Sequence, residues 1–183
     1  MTQTEFDNWF AEPLMTLNAQ PHGAFAVLMI ALPLTERYLR EKSGCHESDL
    51  DARFYVEFVK LFPTLTTDLA KKFWHCYRNG LLHQSTFSLQ NRKGVMMPQA
   101  WISSNLPGTS ATTNYDDAND VFVLLPKEYS EEIVRVIRAD FQTFLGTGSP
   151  YHPPAKVEYS PYWTASAQTP GSINFVPPPS GTR

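Results

Sequence analysis

Arg78 and His83 are five residues apart in the stretch Lys71-Lys72-Phe73-Trp74-His75-Cys76-Tyr77-Arg78-Asn79-Gly80-Leu81-Leu82-His83-Gln84, and Asn79 directly follows the arginine. Arginine presents a fixed cationic fork to phosphate oxygens, and histidine gives or takes a proton near neutral pH. Together they are suited to phosphate chemistry. The spacing by itself carries little weight. With eight arginines and five histidines in 183 residues, an R-x4-H pair arises by chance roughly a fifth of the time. The surroundings must supply the rest.

Charge placement supplies part of it. The chain carries a net charge of −3, which excludes a binder coated in lysine. Yet no Asp or Glu occurs between Asp68 and Asp116, while Lys71, Lys72, Arg78, Arg92 and Lys93 all fall there. A phosphodiester would be drawn to this window, and no neighbouring carboxylate in it competes for Arg78. The plainer alternative is that Lys71 and Lys72 are one solvated helix face and the later pair decorates a loop.

The segments that must position these residues are mostly helical. Residues 3–18 show a weak apolar face of Phe6, Trp9, Phe10 and Leu14, which Pro13 should end or bend. Ala24 to Lys42 reads as a helix with an apolar first half, a kink at Pro33, and charges facing outward from Thr35 to Lys42. Ser43-Gly44 stops it. Ser48 starts the next, with Asp51 as an approximate capping box. Leu50, Phe54, Phe58 and Leu61 form that helix's apolar face, and Pro63 closes it. Thr66-Thr67-Asp68 opens the motif helix, whose buried stripe is Leu69, Phe73, Cys76 and Gly80.

Residues 87–128 differ. Val95-Met96-Met97 and Ala100-Trp101-Ile102 suggest short strands around Pro98, and Val121 to Leu125 a better one. Ser103 to Asn119 reads as a loop. Ser130 opens a last helix, with Glu131 and Glu132 at its positive end, a stripe of Ile133, Ile137, Phe141 and Phe144, and a stop at Gly146. Beyond it, eight of the fifteen prolines occur in 37 residues together with Tyr151, Tyr159, Tyr162, Trp163 and Phe175. That stretch predicts no regular element, but it is too aromatic for an inert linker.

A helical chain with Arg78-Asn79-Gly80-Leu81-Leu82-His83 resembles the HEPN domain family, whose signature is R-x(4–6)-H with a polar residue after the arginine. The order of helices around the motif is similar too. The resemblance covers residues 1–146, with 87–128 as a loop and β insertion between helices and 147–183 as an extended Pro-rich and aromatic tail outside it. It implies a mainly α fold, a bundle of four to five helices that commonly forms a homodimer. Many such proteins are metal-independent endoribonucleases of toxin–antitoxin, phage-defence and RNA-processing systems, whose two motifs face each other in one composite site. Carried over, His83 is the acid/base, Arg78 the phosphate and transition-state group, and Asn79 orients one of them. No cofactor is expected.

RNA brings its own nucleophile, the 2′-OH beside the scissile phosphate. An imidazole with a pKa near ~6.5 accepts that proton, and a guanidinium stabilises the developing charge. The expected product is a 2′,3′-cyclic phosphate. Five residues along a straight helix rotate by about 140°, so Arg78 and His83 do not share a face. Either the helix is distorted at Gly80, or the side chains converge across a partner's motif. Lys71, Lys72, Arg92 and Lys93 are the accompanying RNA contacts. Aromatics at helical spacing are more often core, and Trp74, which falls off the stripe, is the exception expected to stack on a base.

A non-catalytic dimerisation or scaffold module is the alternative, with the Pro and aromatic tail docking a protein partner. Arg78 would then pair with a carboxylate on another helix. Zinc is disfavoured: Cys45-His46 and His75-Cys76 lack C-x2-C spacing, and adjacent helical residues point apart. Two cysteines give no disulfide framework, so a reducing cytoplasm is expected. The apolar run from Ala24 to Leu34 is too short to span a bilayer and follows acidic residues, so no membrane association is expected.

Overall fold

Helix α3, Ala24–Ser43, packs against more of the other helices than any other element does. In a computed structural model, residues 1–46, 50–79, 94, 96–103 and 112–146 are described. The chain divides after His152, and the expected Pro-rich tail lies outside the described residues. The fold is mainly helical, with one small three-stranded sheet. Among the described residues no helix is long and apolar enough to cross a membrane.

The first helical stretch is not ended by Pro13. Helix α1, Gln3–Phe6, opens on a capping box between Thr2 and Glu5, widens into a π-helical segment at Asp7–Ala11, and continues as α2, Glu12–Asn18. A proline ring collides with the carbonyl four residues back. The wide turn immediately before it makes the room. Helix α3 likewise runs unbroken through Pro33 and stops at Gly44, which adopts φ +65° and ψ +24°, the left-handed geometry glycine tolerates best.

Helix α4, Ala52–Leu61, begins later than the sequence pattern suggests. Asp51 is the N-cap, accepting from the amides of Arg53 and Phe54, and Ser48 lies outside the described residues. Phe54 and Phe58 are fully buried, with Leu50 and Leu61 packed beside them. Each such phenylalanine contributes on the order of 1.5–3 kcal/mol through burial. Thr66 caps helix α5, Thr67–Trp74, as expected.

The strands are β1, Gln99–Ile102; β2, Thr113–Asp116; and β3, Val121–Leu124. The expected Ala100–Ile102 strand is β1, and Val95, which opens the other expected strand, lies outside the described residues. Strand β3 is central, parallel to β1 and antiparallel to β2. Strand β2 corrects the expected loop. Its sequence, Thr-Asn-Tyr-Asp, has little apolar content, and only pairing with β3 makes it a strand. Helix α6, Pro126–Ala139, starts with Pro126 in its first turn rather than at Ser130, because proline fits an unpaired first-turn position. Ser130 is instead buried, donating to the Lys127 carbonyl and accepting from Asn18 Nδ2. Helix α7, Phe141–Leu145, carries Phe144 into the core against Phe6, and Gly146 ends it with positive φ.

Candidate functional site

Helix α5 loses its α geometry just where the motif begins. His75–Asn79 form a π-helical segment, while Gly80, the expected place of distortion, lies outside the described residues. Two buried residues anchor this segment to the sheet. Tyr77 donates its hydroxyl to the Trp101 carbonyl at 2.6 Å, with the Phe122 carbonyl at 3.1 Å. The Cys76 thiol points to the Pro98 carbonyl at 3.5 Å. Burial pushes the Tyr77 hydroxyl well up and the Cys76 thiol up to about 12. At neutral pH Cys76 is therefore a packed thiol with no thiolate character.

Anchored through Tyr77, Arg78 turns to helix α3. Its Nε donates to Glu36 Oε2 at 2.6 Å. The other oxygen, Glu36 Oε1, accepts from Arg40 Nε at 3.0 Å and Arg40 Nη2 at 2.8 Å. Side-chain exposures are 24% for Arg78, 14% for Arg40 and 12% for Glu36, so the three ionic groups sit largely out of water. A carboxylate therefore does compete for Arg78, contrary to the acid-free window of the sequence. It arrives from 42 residues upstream. The outward-facing charges expected from Thr35 to Lys42 need the same correction, since Thr35 and Glu36 are both buried.

Tyr55 on α4 adjoins this cluster. Burial pushes its hydroxyl up to about 12; Cys45 and Glu36 push in the same direction, while Arg40 and Arg78 oppose. Two guanidiniums thus flank one carboxylate.

The remaining predicted residues are dispersed. Asn79 closes the π-helical segment. His83, Arg92 and Lys93 lie outside the described residues, as does Gly80. Lys71 is exposed, pairs with Asp68 at 3.3 Å and lies 6.0 Å from the centre of the Tyr55 ring. Lys72 is exposed. Trp74 corrects the expectation of a base-stacking aromatic: it is 2% exposed, with its ring 5.0 Å from Phe54 and 5.5 Å from Phe58. The approaching helix α4 covers the side of α5 on which Trp74 sits. Its Nε1 has no hydrogen-bond partner among the described residues.

Glu36 and Arg40 escaped the sequence pattern. The available signal was their spacing, since a glutamate four residues before an arginine is the favoured helical ion pair. Nothing in that spacing points to Arg78. Among the described residues no group of three or more His, Cys, Asp or Glu could hold a metal ion. Compared with known proteins, the chain matches no family model, no curated protein and no solved structure.

Proposed function

We propose that this chain is a HEPN-like metal-independent endoribonuclease that works as a homodimer, with Arg78 as the phosphate-binding cation and His83 as the acid/base. What supports it is a guanidinium held in place with part of its surface still open: Glu36 takes Arg78 Nε, and the side chain keeps 24% exposure. A guanidinium fixed before substrate arrives can stabilise charge that develops in the transition state without reorganising at that moment. In the proposed step His83 takes the 2′-OH proton as that oxygen forms a bond to phosphorus. The bond from phosphorus to the 5′ oxygen breaks, and the leaving oxygen takes a proton from the second copy's histidine. The products are a 2′,3′-cyclic phosphate and a 5′-hydroxyl. Asn79 orients the pair, and Lys71 and Lys72 hold the backbone. A toxin–antitoxin or phage-defence setting and a cytoplasmic location go with this assignment.

The ion pair itself is the pairing expected of the alternative, a non-catalytic scaffold in which Arg78 ties helix to helix. Trp9 at 53% and Met15 at 62% exposure would serve such a surface. Cleavage of RNA in EDTA by wild type, Arg78→Ala and His83→Ala separates the two. A ribonuclease cuts without metal, leaves 2′,3′-cyclic ends and loses activity in both variants. A folded wild-type protein that cuts no RNA, or a His83→Ala variant that cuts as well as wild type, refutes the proposal.

A further inference from the structure

We infer that Arg40 is a positioning residue for Arg78, acting through Glu36. The inference rests on the role given to Arg78 above, and it adds a residue remote in sequence from the motif. The chain of contacts is short. Arg40 holds Glu36 Oε1 with two nitrogens, at 3.0 and 2.8 Å, which leaves Oε2 directed at Arg78 Nε, 2.6 Å away. A glutamate side chain has several rotamers, and losing that freedom opposes any single geometry. A second cation on the far oxygen restricts the carboxylate to the orientation that meets Arg78.

Arg40 is itself fixed at both ends. Its carbonyl accepts the Cys45 amide at 3.1 Å, and its Nη1 donates to the Cys45 carbonyl at 3.3 Å. Both contacts depend on the chain reversing at Gly44, whose φ is +65°. The left-handed turn thus sets Cys45, Cys45 sets Arg40, Arg40 sets Glu36, and Glu36 sets Arg78. Arg40 is 14% exposed and does its work behind the carboxylate, so it shapes the site without touching RNA.

The test compares wild type with Arg40→Met and Arg40→Lys by two independent readouts. The first is the side-chain Nε–H resonance of Arg78, assigned by its loss in Arg78→Lys. It is expected to be sharp and protected from solvent exchange in wild type, and broadened or exchanged in Arg40→Met. The second is RNA cleavage, where kcat should fall on the order of 10–100-fold with KM little changed, because a misplaced group costs transition-state rather than ground-state interaction. Arg40→Lys, which keeps the charge but not the fork, should recover part of both signals, and it replaces Arg40→Met should that variant not fold. An unaltered Arg78 resonance in folded Arg40→Met overturns the inference and leaves the ribonuclease standing. A lost resonance in a protein that cuts no RNA supports the positioning by Arg40 and refutes the ribonuclease instead.

Discussion

Replacing Glu36 by Gln removes the charge that holds two guanidiniums together, and the cost follows from the geometry. Each guanidinium contact to Glu36 is charge-assisted and worth about 1.5–3 kcal/mol when buried. The lower end applies here, because the side chains keep 12–24% exposure. A neutral glutamine takes the charge assistance from both contacts, about 1.5 kcal/mol each. The repulsion between Arg40 and Arg78 exists in wild type too, but is no longer offset by a carboxylate. Together these give a loss of about 3 kcal/mol, or a fall of about 6–12 °C in melting temperature for a body of this size.

Urea unfolding at low salt, followed by circular dichroism, measures it. Guanidinium chloride would screen the interaction in question. Adding Arg78→Gln to the Glu36→Gln protein should return about 1 kcal/mol, although Arg78→Gln alone destabilises wild type. That reversal of sign is the signature of a shared ionic cluster. A Glu36→Gln loss below about 1 kcal/mol, or strict additivity of the two substitutions, would refute the reasoning.

Three further outcomes are expected. Tyr77→Phe removes the buried hydroxyl that joins the motif segment to β1, a lost hydrogen bond that costs about 1 kcal/mol in urea unfolding. Gly44→Ala forces a side chain into a left-handed turn with φ +65°, which costs about 1 kcal/mol, although open space surrounds the missing Cβ. The Lys42 ammonium, and after it the Thr143 hydroxyl, hold the Asp140 carboxyl below its usual range. A carboxyl so lowered contributes stability above its unfolded pKa, and loses it as pH falls through the folded value. Asp140→Asn should therefore destabilise at pH 7 by about 0.5–1 kcal/mol, a small figure because the side chains are 42% and 32% exposed. The gap should close below about pH 4, as unfolding across pH will show.

Local signals in the sequence determined much of the helical frame. Thr66 caps α5, Gly44 ends α3, and the Phe54 and Phe58 pair faces inward, because caps, left-handed turns and helical periodicity involve only near neighbours in the chain. The candidate chemistry was legible only as residue types, Arg78, Asn79 and His83. Tertiary structure alone decided what surrounds the arginine. Glu36 reaches it from another helix, Trp74 is enclosed by α4, and polar β2 exists only through pairing with β3. The motif's own window contains no acid, yet its arginine is paired. Packing brings a carboxylate 42 residues away in sequence to 2.6 Å in space, and no pattern confined to neighbouring positions encodes that approach.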